Sequence, residues 1–229
     1  MKTSIIIPSY NMAESLKATV EALLENPFFD EIVIVDDGSR DRTSSLDWPK
    51  GVRTIRLARN HGKGYALSQG IVAASHERLI LADADLAGEA PKLRRFLDMS
   101  ADVLPYIIGV LPRSEQGGLG LVERWSRQAI YERTGLKLKA PLSGQRLILR
   151  RWLLPYTRSF PVGWGIEVYL TLLLARLRLY PLEVDLPIRH VGRGRNFSGF
   201  LHRGRQGLDI MRVLARWDAE YKMRGRHAK

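Results

Sequence analysis

The chain has 229 residues, 45% of them hydrophobic, and its 36 Lys and Arg against 24 Asp and Glu give a formal net charge of +12. This supports one substantial core and predicts attraction to polyanions without choosing among phosphates, anionic lipid and nucleic acid. The absence of cysteine excludes disulfides and thiolate metal sites, and the best candidate membrane span, Val162 to Ala175, is too short and carries Glu167.

In chain order, Thr3 to Ile7 is a β-branched run closed by Pro8; after Ser9-Tyr10-Asn11 comes an amphipathic segment bearing Leu16, Val20, Leu23 and Leu24. This pattern predicts strand, loop and helix, and Met1-Lys2-Thr3 leads into it with no separate signal region. Asn26-Pro27 ends the helix, and Glu31 to Val35 makes a second strand running into Asp36-Asp37-Gly38-Ser39. A third strand, Val52 to Leu57, precedes Gly62-Lys63-Gly64, which opens a helix through Tyr65, Ala66, Leu67, Ile71 and Ala74. The fourth, Arg78 to Ala82, ends in Asp83-Ala84-Asp85. Strands alternating with helices at this spacing predict an α/β fold, a mostly parallel, doubly wound, Rossmann-like sheet with helices on both faces. Neither a Gly-X-Gly-X-X-Gly loop nor a P-loop follows the first strand.

Ala90 to Leu97 predicts a helix and Val103 to Val110 a strand, and Glu115-Gln116-Gly117-Gly118-Leu119-Gly120 marks a shift in composition. Beyond it the pattern predicts a helix over Val122 to Arg133, a strand over Gln145 to Leu149, an apolar helix over Glu167 to Arg178, an extended Leu182 to Ile188 and a basic amphipathic helix over Asn196 to Lys222.

Chemically, Tyr10 can stack on a base, Asp36 and Asp37 can accept hydrogen bonds from base or ribose, Lys63 near a helix start can meet a phosphate, and Asp83 and Asp85 can hold a hard divalent cation. Each also has a plainer reading: Tyr10 as a core cap, Asp36-Asp37-Gly38-Ser39 as turn chemistry, Gly62-Lys63-Gly64 as a helix start, the aspartates as a solvated turn. Their joint appearance at successive strand ends describes a nucleoside-diphosphate site.

Four stretches are similar to the ordered motifs of family 2 glycosyltransferases with the GT-A fold: Ser4 to Asn11, Ile34 to Thr43, Asn60 to Ala66 and Leu81 to Leu86. The Gly-Lys-Gly and Ala-Asp-Ala-Asp versions resemble those of dolichyl- and polyprenyl-phosphate sugar synthases. In the second half, Pro141 to Arg146, Gly163 to Val168 and Val184 to His190 resemble the acceptor-side motifs of glucosyl-3-phosphoglycerate synthases. The resemblance implies Pro8, Tyr10, Glu14 and Asp37 around the nucleoside, Lys63 near phosphate or ribose, Asp83 toward the sugar nucleotide, and Asp85 with His190 on Mg²⁺ or Mn²⁺. It further implies Glu167 facing sugar or acceptor, and Ser143, Gly144, Gln145 and Trp164 on the acceptor side. His190 can equally be an ordinary packed residue, and Glu167 a carboxylate serving its helix dipole.

The expected activity is metal-dependent transfer of a hexose from a nucleoside-diphosphate sugar, UDP-glucose first, to a phosphorylated lipid or small-molecule acceptor. Residues 1–112 would bind the donor and a merged half over 113–229 the acceptor. Arg203 and Arg205, with Arg212, suit an acceptor phosphate, an anionic membrane surface or a merely solvated face. A cytoplasmic protein, peripheral at most, is expected. A sugar-phosphate nucleotidyltransferase is the alternative enzyme and a basic nucleic-acid-binding protein the alternative outside enzymology, with no nucleic-acid partner expected on the main reading.

Overall fold

The computed structural model describes residues 1–99, 106–112, 120–188 and 206–220. Seven strands form one sheet: β1 (Thr3–Ser9), β2 (Glu31–Asp36), β3 (Val52–Arg56), β4 (Arg78–Leu81), β5 (Tyr106–Val110), β6 (Arg146–Leu149) and β7 (Leu182–Asp185), in the spatial order β3-β2-β1-β4-β6-β5-β7. β1 pairs in parallel with β2 and β4, β2 with β3, and β5 with β7. β6 is antiparallel to both of its neighbours. The sheet is therefore mostly parallel, as the alternation of strands and helices predicts, with one reversed strand, β6, between β4 and β5.

Successive strand residues point to opposite faces, which makes two cores. Ile6, Val33, Val35, Leu79, Leu81, Ile108 and Ile148 pack on one side with helices α2 (Lys63–Ala73), α4 (Leu121–Thr134), α6 (Ile166–Arg176) and the helical residues 206–220 (α7). Ile5, Ile7, Ile32, Ile34, Ile80, Ile107 and Leu147 pack on the other with α1 (Ala13–Glu25) and the short α3 (Arg95–Met99). A further short helix, α5 (Arg150–Leu153), continues directly from β6.

The helix expected over Ala90 to Leu97 is instead a 3₁₀ segment, Ala87–Arg94, followed by α3. Pro91 lies inside it, and the buried residues Ala90, Leu93 and Phe96 recur every third position, the period of a 3₁₀ helix. The expected β5 residues before Tyr106, most of the glycine-rich stretch, and residues 189–205 ahead of α7 lie outside the described residues.

Candidate active site

β1, β2 and β3 are aligned at Ser9, Asp36 and Arg56, so the residues just past them share one edge of the sheet. Tyr10, 41% exposed, lines a cavity of about 500 Å³ there with Ser39, Arg40, Arg56, Arg59 and Asn60. An accessible aromatic ring in a cavity lined by three arginines suits a ligand that joins a flat base to an anion. Asp36 is buried below, its Oδ1 accepting the Ser39 N–H at 2.9 Å. Asp37, also buried, accepts from Asn60 Nδ2 at 2.9 Å, the His61 N–H at 2.8 Å and the Gly62 N–H at 2.7 Å. Burial pushes its carboxyl above the usual range, against the pull of those amides. Asp37 thus holds the segment that carries Lys63.

That segment is built from close backbone approach. Gly62 adopts φ 96°, and a Cβ there would lie 2.3 Å from the Val162 carbonyl oxygen; one at Gly64 would lie 1.8 Å from that of Pro161. The start of α2 therefore sits directly on the 161–163 turn, where the Gly64 N–H donates to the Val162 carbonyl at 3.1 Å. The same turn leads into α6, whose first turn carries Glu167.

Between these elements Lys63 Nζ donates to Asp83 Oδ1 at 2.7 Å and to Glu167 Oε1 at 2.6 Å, with side-chain exposures of 13% for Lys63, 24% for Asp83 and 5% for Glu167. Burial alone would lower an ammonium pKa, but the charges of Asp83 and Glu167 outweigh it and hold Lys63 above the ordinary lysine range. The Trp164 ring centroid lies 5.7 Å from Nζ. Because β6 is antiparallel to β4, its start lies at β4's end, and Gln145 clamps Asp83 there: Nε2 donates to Oδ2 at 2.6 Å and Oε1 accepts the Asp83 N–H at 3.1 Å. A Cβ on Gly144 would lie 2.6 Å from both Asp83 oxygens, so only glycine admits this approach. Glu167 Oε2 is buried without a hydrogen bond.

The structure brings Lys63, Asp83, Gln145, Trp164 and Glu167 together. Asp85, half-buried, follows Asp83 past the end of β4. Ser143 Oγ accepts the Gln145 N–H at 3.3 Å and so supports the clamp. Pro8 is half-buried inside β1, opposite Val35. Glu14 does not join the Tyr10 cavity: its side chain is 80% exposed and pairs with Arg42 at 3.3 Å over a separate groove. Lys63, expected near phosphate or ribose, donates to two carboxylates. His190, Arg203 and Arg205 lie outside the described residues.

Sequence reasoning missed Arg40, Arg56 and Arg59, although each follows or ends a strand that delivers a site residue. It also missed Arg146 and Asp209. Arg146 is fully buried, donating to the Pro141 and Ser143 carbonyls, Tyr106 Oη and Thr171 Oγ1, and so fixes the loop that presents Gln145. Asp209, on α7, accepts the Trp164 N–H at 3.1 Å. For a metal, no group of three or more His, Asp or Glu converges among the described residues. Mg²⁺ and Mn²⁺ are commonly held by one or two carboxylates with substrate phosphates and water, so Asp85 at this strand end fits a cation arriving with a diphosphate.

Human dolichyl-phosphate beta-glucosyltransferase is 32% identical over 119 residues, 45% of this chain and 37% of that protein. The undecaprenyl-phosphate 4-deoxy-4-formamido-L-arabinose transferase of Pectobacterium carotovorum is 31% identical over 128 residues, 51% of this chain and 38% of that protein. The chain thus spans less than two-fifths of the length of these relatives. Glucosyl-3-phosphoglycerate synthase from Mycobacterium tuberculosis matches over 93% of this chain and 78% of that one: TM-score 0.74 and 23% identity for its UDP complex, 0.72 and 21% for its complex with Mn²⁺ and UDP-glucose. At that identity the likeness establishes the fold, which is of the GT-A type. The model of glycosyl transferase family 2 matches residues 4–149, a span that takes in Tyr10, Asp37, Lys63, Asp83, Asp85 and Gln145, and the chain belongs to that family.

Proposed function

We propose that the protein is a metal-dependent hexosyltransferase that takes its sugar from a nucleoside-diphosphate sugar, UDP-glucose first, and delivers it to a phosphorylated acceptor, either a small molecule or a lipid. The observation that carries this reading is the Lys63 ammonium held between Asp83 and Glu167 on the segment that also supplies Asn60 to the Tyr10 cavity. A base stacked on Tyr10 would send its diphosphate past Arg40, Arg56 and Arg59 toward the aspartates. Residues 1–112 would then supply the donor side and residues 113–229 the acceptor side. UDP with Mn²⁺ in the structural neighbour and lipid-phosphate acceptors in the names of the relatives support the two substrate classes.

Asp85 would hold a Mg²⁺ or Mn²⁺, which supplies charge neutralisation to the departing diphosphate. The chain's own residues do the rest. Gln145 and Lys63 fix the Asp83 carboxylate toward the sugar, so its charge is preorganised against the cation developing at the anomeric carbon. Glu167, whose Oε2 is buried and without a hydrogen bond, would serve as the base for an acceptor hydroxyl, while a phosphate acceptor would need no base. Trp164, whose ring centroid lies 5.7 Å from the Lys63 ammonium, would close the acceptor side.

The test supplies purified protein with Mn²⁺, a panel of radiolabelled UDP- and GDP-sugars, and a lipid and metabolite extract. Transfer from one sugar nucleotide is expected, with a loss of more than about 100-fold in Asp85→Asn, of the size seen on removing an electrostatic transition-state contact. No transfer from any donor, or full activity in Asp85→Asn, contradicts the reading.

A further inference from the structure

Arg146 is the first residue of β6 and stands opposite Leu81 of β4, just before Asp83. Strand alternation sends its side chain to the face on which Ile148 packs with α6, and there it is fully buried. Among the described residues no carboxylate pairs with this guanidinium. Nε donates to the Ser143 carbonyl at 2.9 Å, Nη2 to the Pro141 carbonyl at 3.1 Å, and Nη1 both to Tyr106 Oη and, at 3.1 Å, to Thr171 Oγ1. A buried charge without a counter-charge is costly, and for the core alone an apolar side chain of similar volume would be cheaper. What the guanidinium supplies instead is a planar fork whose donors keep fixed angles to one another.

Two of these bonds hold a loop and one reaches a helix. Pro141 and Ser143 belong to the loop that brings Gly144 against Asp83 and clamps Gln145 onto it. The start of that loop is fixed separately, since Glu183 of β7 accepts the Lys139 and Ala140 N–H groups at 2.8 Å each. Thr171 lies one turn after Glu167 on α6, and the Oγ1 that accepts from Arg146 also donates to the Glu167 carbonyl at 3.0 Å. A continuous path therefore runs from Asp83 Oδ2 through Gln145, the adjoining Arg146 and Thr171 to the backbone of Glu167. Lys63 Nζ joins the same two carboxylates at their free ends, at 2.7 and 2.6 Å. An ammonium on a flexible stem fixes charge but little direction; the path beneath it, through a planar group, fixes direction.

We propose that Arg146 is a positioning residue: by tying the Gln145 loop to α6 through Thr171, it sets where the Asp83 carboxylate stands relative to Glu167. On the hexosyltransferase reading, on which the kinetic part of this inference rests, these are the groups facing sugar and acceptor. Loosening the tie then slows transfer and leaves donor binding intact, because a small misplacement is felt in the transition state before it is felt in the bound ground state.

The experiment compares, in the full chain, Thr171→Val, which keeps the shape and removes the shared hydroxyl, with Thr171→Ser, which keeps the hydroxyl, and with Arg146→Met. One readout needs neither donor nor acceptor: the rate at which acetic anhydride acylates Lys63, followed by mass spectrometry. Lys63 is protected by its two carboxylates, and in Thr171→Val its acylation should be about fivefold faster than in the wild type, the change in local opening expected from one lost hydrogen bond. In the transfer assay kcat of Thr171→Val should fall about tenfold with KM for the sugar nucleotide unchanged. Thr171→Ser should restore both readouts, and Arg146→Met should lose at least as much as Thr171→Val. If Arg146→Met does not fold, the threonine pair carries the test. Wild-type acylation of Lys63 in Thr171→Val, equal losses in Thr171→Ser, or a rise in KM at constant kcat overturns the proposal. Absence of transfer in the wild type contradicts the hexosyltransferase reading instead, and the acylation comparison still decides the role of Arg146.

Discussion

Removing the Lys63 ammonium would leave the Asp83 and Glu167 carboxylates sharing a largely buried space with no cation between them. Breaking such a pair from one side costs about 3–5 kcal/mol, most of it from the charge left unpaired. The pH dependence has a definite sign. In the wild type the Lys63 pKa is raised by its partners, so its contribution is complete below the unfolded value of about 10.4 and is lost only as pH climbs through the raised value; it adds no slope near neutrality. In Lys63→Met the two carboxylates repel, and one takes up a proton as pH falls. The stability deficit of Lys63→Met is therefore expected to be largest near about pH 8 and to shrink toward about pH 5, measured as the difference in urea midpoints. A deficit independent of pH would contradict the pairing. Lys63, Asp83 and Glu167 were each legible as chemistry in the sequence, because acids and a lysine stand at strand and helix ends. Their union was not, since the partners lie 20 and 104 residues from Lys63 and meet only once the sheet order is set.

The turn between Phe160 and α6 is an element held from two sides. The start of α2 packs on one, through the missing Cβ atoms of Gly62 and Gly64; α7 packs on the other, where a Cβ on Gly163 would lie 2.1 Å from Asp209 Oδ2. Asp209→Ala removes the acceptor of the Trp164 N–H and is expected to cost about 1.5–3 kcal/mol, the worth of a hydrogen bond to a charged group. It should also lower the transfer rate, because Trp164 and Glu167 ride on that turn. Asp209→Asn keeps an acceptor oxygen and should recover most of both losses, which a simple loss of charge would not allow. Urea unfolding and initial rates of the two variants decide the matter. The strands were legible at this scale because apolar runs broken by carboxylates, Gly and Pro are strong local signals. The 3₁₀ segment was read as a helix because Ala90, Leu93 and Phe96 satisfy either period over so short a span. The reversal of β6 was hidden for another reason: strand direction depends on which edge the connection reaches, not on the strand's own residues. Asp209 gave no signal, being one acid in a basic stretch whose tertiary contact alone gives it a role.

At the scale of the molecule, one mixed sheet brings the ends of β1, β2 and β4 and the start of β6 to a single edge, and the helices on one face deliver Lys63 and Glu167 to the same place. This architecture accounts for a site assembled from residues spread over Tyr10 to Glu167. The central claim is that the edge binds a nucleoside-diphosphate sugar together with a divalent cation, and thermal melting tests it without requiring the acceptor. A ligand at 100 times its dissociation constant stabilises the native state by about 2.7 kcal/mol, which for a chain of this length raises the melting temperature by about 5–10 °C. The account predicts such a rise with UDP-glucose and Mn²⁺, a much smaller one in Asp85→Asn, and none with polynucleotide at moderate salt. No rise with any sugar nucleotide in the presence of Mn²⁺, or an equal rise with polynucleotide, would contradict it.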